Sequence, residues 1–189
     1  KEKMAMKDIY EECPVYRKSL VTLRQTRMED AEDLLKCYSD EKAVPFFNSD
    51  NCHGDDFHYT TLERMKKAIE FWDFSYQNKY FVRWTVIENN TKEKIGTIEM
   101  FHRIAEDEFN HCGILRMDLR SDYETQPILT EILEIVDQNF FQVFDVEEIL
   151  TKAVPENTER IAALTKIGYQ ASDRKIMIYD NYFVKHKTI

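Results

Sequence analysis

The chain has 189 residues, 43% of them hydrophobic and 32% charged, which suits one domain with a sizeable core and is not the composition of a disordered chain. Twenty-six basic residues against 35 acidic ones give a net charge of -9, which speaks against nucleic acid or an anionic membrane surface as a partner. No apolar run reaches the roughly 20 residues of a membrane span, the opening KEKMAMKDIYEEC has no signal-peptide core, and Cys13, Cys37, Cys52 and Cys112 form no C-x-x-C pair, so a cytoplasmic protein with reduced thiols is expected.

Residues 1–18 read as an N-terminal extension, with a single domain over 19–189. LVTLR at 20–24 suits a first strand, and Ala31, Leu34, Leu35 and Tyr38 mark a helix that ends near Ser39. Residues 40–59 lack a period and form a long loop. Its side chains Asp50, Cys52, His53, Asp55, Asp56 and His58 match no standard zinc or calcium spacing, so no metal is expected there. Thr60 with Glu63 reads as a capping box for a helix through Gln77. Strands over 81–88 and 95–101 follow, joined by a turn at Asn89, Asn90, Thr91 and Lys92. A third strand over 111–119 leads through a polar turn to Pro127, which suits a first helical turn. Ile128, Leu129, Ile132, Leu133, Val136, Phe140 and Phe144 then trace one helical stripe. A strand over 149–154, a helix over 158–167, and strands near Tyr169 and over 176–179 complete the chain. This alternation argues for a mixed sheet flanked by helices.

Three stretches carry a family resemblance: LVTLRQTRMEDAEDLLKCYSD, LRSDYETQPILTEIL and ENTERIAALTKIGY. Together the chain resembles the GNAT superfamily of acyl-CoA N-acyltransferases, in particular its ribosomal-protein and small-molecule branch. The resemblance implies an α/β fold with a mostly antiparallel twisted sheet of about six or seven strands and about four helices, splayed between strands 4 and 5 where the pantetheine arm lies. It implies acetyl-CoA as co-substrate and transfer of an acetyl group to the primary amine of a small molecule or a peptide or protein N-terminus. The alternative is an inactive descendant whose cleft binds a ligand or partner; a homodimerising scaffold is a third reading.

The resemblance places the donor at Met117, Asp118 and Leu119, at the loop Glu124, Thr125, Gln126, Pro127, Ile128 and Leu129, and at Asn157, which also reads as a helix cap. That loop departs from the family pattern. Pro127 and Leu129 stand where small residues let a backbone approach phosphates, and Glu124 stands where the family has glutamine or arginine. Arg116 and Arg120 are the nearby cations. The family's glutamate on strand 4 is missing, so Glu99 and His111 are the candidate bases, while Glu99 equally suits a solvent-facing or arginine-paired role. The family's late-helix tyrosine is Leu164 here. The resemblance implies that Phe46, Phe47, His53, Asp55 and Asp56 lie beside the acceptor site, acidic enough to suit a small amine or a basic peptide, while the phenylalanines equally suit plugging the loop onto the core.

Overall fold

The structure, a computed structural model, describes residues 7–188. Its strands are β1 (Tyr16–Arg17), β2 (Val21–Gln25), β3 (Val82–Glu88), β4 (Lys94–Arg103), β5 (Cys112–Leu119), β6 (Glu148–Lys152), β7 (Gln170–Ala171) and β8 (Tyr182–His186). They form one sheet in the order β1-β2-β3-β4-β5-β6-β8-β7, antiparallel throughout except where β5 meets β6. The helices are α1 (Ala31–Tyr38), α2 (Leu62–Gln77), α3 (Gln126–Val143) and α4 (Thr158–Ile167). Among the described residues no helix is long and apolar enough to cross a membrane.

Helices cover both faces of the central strands, so β3, β4 and β5 are buried along most of their length. One face of the sheet is mainly apolar. Trp84, Ile98, Met100, Leu115 and Met117 pack there against the stripe of α3, with Trp84 stacked on Phe140 at 4.7 Å between ring centres. The residues between them on the same strands, Arg83, Thr85, Thr97, Glu99, Arg116 and Asp118, point to the other face, under α1 and α2. The polar side of these strands becomes the site.

Several local features differ from the sequence expectations, each for a physical reason. The extension goes further than packing onto the domain and adds an edge strand: Tyr16 and Arg17 pair with Leu23 and Thr22, and Pro14 accepts a hydrogen bond from the Trp84 indole N–H. Thr61, not Thr60, caps α2 by accepting from the Arg64 N–H. That puts Arg64 rather than Glu63 at the third helical position, so no capping box forms. Residues 176–179 make only one bridge, Ile176 with Tyr179, because Met177 adopts a left-handed backbone and turns the chain. The last long strand is instead β8, paired along the whole of β6. With the two-residue edge strands β1 and β7, this brings the sheet to eight strands.

Candidate active site

The antiparallel register sets Arg83 on β3 beside Glu99 on β4, and Glu99 beside Arg116 on β5. Arg83 Nη2 donates to Glu99 Oε1 at 2.7 Å, and its Nη1 donates to Thr97 Oγ1 at 2.7 Å and to Asp118 Oδ2 at 3.3 Å. From α1, Tyr38 donates to the same Asp118 oxygen at 2.7 Å. Trp72 of α2 covers the Arg83 guanidinium at 4.1 Å from its ring centre. Burial pushes the Asp118 carboxyl up despite Arg83 and the Tyr38 hydrogen bond, and it pushes the Tyr38 hydroxyl far above its usual range. Burial alone would favour neutral Arg83; Glu99, Tyr38 and Asp118 reverse that and hold it cationic.

Over this layer opens a cavity of about 340 Å³, lined by Cys52, Phe57, Trp72, Arg83, Glu99 and Arg116 among others. Arg116 reaches it from β5, anchored by Cys52 Sγ at 2.8 Å and the Asp50 carbonyl at 3.0 Å. Burial raises the Cys52 thiol, with Arg116 opposing. Of the residues expected on the acceptor side, His53 and Asp55 line this cavity. Phe47 instead packs into the core on Tyr38, Phe46 is half-buried in a 3-10 turn, and Asp56 is exposed and accepts from the His58 N–H. The acidity of the loop is also largely consumed inside the fold. Asp50 binds Lys152 Nζ at 2.8 Å and Asp55 binds Tyr59 and Arg64, which leaves Asp56 as the exposed carboxylate among the three. Among the described residues, no group of three or more His, Cys, Asp or Glu side chains is placed to hold a metal ion.

Glu99 sits at the cavity floor; His111 does not. His111 lies at the far end of β5, exposed and left-handed, against His102 at 3.0 Å. Six residues of extended chain, about 20 Å, separate it from Met117.

On the other side of β5 the sheet splays. Pairing with β6 covers only Gly113, Ile114 and Leu115. The Arg120 N–H turns back to the Ile95 carbonyl, so by strand alternation the N–H groups of Met117 and Leu119 face the unpaired edge. That edge fits the amide-rich arm of a coenzyme A thioester. The phosphate loop does not fit a pyrophosphate. Glu124 is buried and takes two hydrogen bonds from Arg160, at 2.7 and 2.9 Å, and one from Asn157 at 2.8 Å. Glu159 accepts the Gln126 N–H at 3.0 Å, so a carboxylate of the chain already occupies the first turn of α3. Leu129 and Ile128 are buried in the core, Thr125 precedes α3 without a side-chain capping bond, and Pro127 brings no N–H. Arg120 is committed to Asp122 and Glu93. Arg116 points to the opposite side of β5. Asn157 does cap α4, accepting from the Arg160 N–H.

Comparison with known sequences agrees with this geometry. A sequence description of the acetyltransferase (GNAT) domain matches residues 21–170. The chain belongs to the GNAT acetyltransferase family. An uncharacterized N-acetyltransferase, YoaA of Bacillus subtilis, is 23% identical to this GNAT domain over 157 residues, covering 83% of each chain. Among solved structures, ribosomal-protein-S5-alanine acetyltransferase from Vibrio fischeri superposes with a TM-score of 0.70 at 16% identity, over 92% of this chain and 97% of the other. Mycobacterium smegmatis RimJ, solved with a CoA disulfide, gives 0.70 at 15% identity, over 88% and 81%. These likenesses establish the fold. Arg83 and Tyr38 are the site residues that sequence reasoning missed; for Arg83 the signal was the alternation of polar side chains along three otherwise apolar strands, while Tyr38, on α1, reads as one of that helix's apolar positions.

Proposed function

We propose that this GNAT domain is a cytoplasmic N-acetyltransferase that moves an acetyl group from acetyl-CoA to the primary amine of a small molecule or of a peptide or protein N-terminus. The observation that carries the reading is the free edge of β5 at Met117 and Leu119, one residue along the same strand from the Arg116 and Glu99 cavity. Glu99 is the proposed base: its Oε1 is held by Arg83, while Oε2, 3.6 Å from Arg116 Nε, accepts no hydrogen bond and is the oxygen left to receive a proton from an amine in the cavity. The edge N–H groups of Met117 and Leu119 are placed to stabilise an oxyanion. A bound donor would supply the thioester carbonyl that the neutral amine attacks; the C–S bond would break and the sulfur would leave as a thiolate that takes its proton from solvent, since neither Tyr38, buried beneath the cavity, nor Leu164 supplies an acid.

A second reading, a ligand-binding module without turnover, is favoured by one observation, the Glu124–Arg160 pair filling the phosphate loop. Calorimetric titration of the protein with acetyl-CoA, then mass-spectrometric assay of an amine panel, separates the two. Micromolar binding, about -8 kcal/mol, with acetylated product that Glu99→Gln lowers at neutral pH, supports the transferase. Absence of heat at millimolar donor together with absence of product overturns it in favour of the binding module.

A further inference from the structure

The cavity over β4 and β5 carries a charge imbalance. Three guanidiniums line it, Arg64, Arg83 and Arg116, against two carboxylates, Asp55 and Glu99. Arg64 pairs with Asp55 at 3.2 Å, and Arg83 pairs with Glu99 Oε1 at 2.7 Å and with Asp118 beneath the cavity at 3.3 Å, so Arg116 has only a share of Glu99, its Nε 3.6 Å from Oε2. Its hydrogen-bond partners are a thiol and a backbone carbonyl, both neutral, because the nearby Asp50 carboxylate is taken by Lys152. Among the described residues its buried Nε–H has no acceptor. Glu99 Oε2, at 3.6 Å from that nitrogen, lies just outside hydrogen-bond reach and receives no hydrogen bond of its own.

A guanidinium that lines the cavity with neutral hydrogen-bond partners and only a shared carboxylate favours an anion there, because its amino groups can each donate once more in a poorly solvated place. The free carboxylate oxygen beside it calls for a cationic donor. Two such demands a few ångströms apart are met by a molecule carrying ammonium and carboxylate on one carbon. Much of the remaining lining is aromatic, including Phe57, Trp72 and Phe101. The volume, about 340 Å³, lies at the small end for ligand pockets and suits a single residue better than a folded terminus.

We infer that the cavity binds a free α-amino acid with a bulky apolar or aromatic side chain, its carboxylate on Arg116, its amine on Glu99 Oε2 and its side chain among Phe57, Trp72 and Phe101. This deepens the proposed transferase reading by naming the acceptor, and rests on that reading only for the transfer step after binding. A peptide N-terminus lacks the adjacent carboxylate and leaves Arg116 unanswered.

The test uses the whole protein without any donor. Thermal unfolding and calorimetry are run with L-phenylalanine and L-leucine, with phenylalanine amide, with 3-phenylpropionate, and with spermidine. The expected result is that the amino acids raise the melting temperature at millimolar concentration and bind at least about tenfold more tightly than the amide or the propionate. Arg116→Gln should erase the preference for acid over amide, and Glu99→Gln the preference for amino acid over propionate. If Arg116→Gln does not fold, as judged by circular dichroism, Arg116→Lys takes its place, with the acid-over-amide preference expected to be reduced. Equal binding of acid and amide, tighter binding of spermidine, or no response to either amino acid overturns the inference. Amino-acid binding without acetylation refutes the transferase alone; acetylation of another amine without amino-acid binding refutes this assignment alone.

Discussion

Asp30 is fully buried at the start of α1 and accepts four hydrogen bonds: two from Arg24 at 2.7 and 2.8 Å, one from the Arg27 N–H at 2.9 Å and one from Thr85 at 2.8 Å. Burial would raise its pKa, but Arg24, the Arg27 N–H and Thr85 together outweigh burial and hold it below the usual carboxylate range. A carboxylate depressed in the folded state contributes stability that is present above its unfolded pKa, about 3.9, and is lost as pH falls through the folded value. Asp30→Asn removes that charge and leaves Arg24 without its partner, at a cost of about 3 kcal/mol near pH 7. Urea denaturation should show this gap, and the gap should shrink as pH falls below about 4, where the unfolded chain takes up the proton that folded Asp30 resists; a gap independent of pH would show that Asp30 acts by shape rather than charge. His111 gives the contrary lesson at the same scale. Its residue type and strand fitted a base, but only backbone geometry shows that it sits at the wrong end of β5.

Strands and helices were the most legible level, because apolar spacing along 62–77 and 128–144 reports burial directly. What escaped was the pairing of polar residues across strands. Arg83, Glu99 and Arg116 lie far apart in sequence, and only the register of β3, β4 and β5 makes them neighbours. The splay, expected from the family resemblance, depends on where the β5–β6 ladder stops, which no local pattern encodes. The last strand was misplaced because turn residues from 172 to 181 include two left-handed positions, Met177 and Asn181, whose side chains are not the glycines that usually mark such turns. Gly96 tests the register itself. A Cβ there would lie 1.9 Å from the Asp118 carbonyl oxygen, and 2.9 Å from both its carbonyl carbon and Leu119 Cα, all backbone atoms of β5. At Gly113 the hardest contact is the Met100 methyl at 2.2 Å, the end of a flexible side chain. Gly96→Ala should therefore cost about 3 kcal/mol and lower the melting temperature by roughly 6–12 °C, with Gly113→Ala clearly milder. Equal melting temperatures for the two variants would mean that β4 and β5 are not held this close.

Across the whole molecule, two clefts flank β5 and their chemistry diverges. The cavity side keeps open charged groups, while the loop side has closed its charges on itself through Glu124, Arg160, Asn157 and Glu159. A donor approaching the free edge of β5 would find N–H groups for its pantetheine arm but carboxylates where its pyrophosphate arrives, on a protein of net charge -9. Most of the donor's affinity should then come from the arm, not from the nucleotide. Competition calorimetry between acetyl-CoA and acetyl-pantetheine checks this: the two should bind within about tenfold of each other, a difference under about 1.4 kcal/mol. Glu159→Ala should shift the balance towards acetyl-CoA, because it frees the Gln126 N–H at the positive end of α3 for a phosphate oxygen. If acetyl-CoA instead wins by a hundredfold in the unaltered protein, the Glu124–Arg160 pair must open to admit the nucleotide. Mutating Arg160 would then change donor affinity as well as stability.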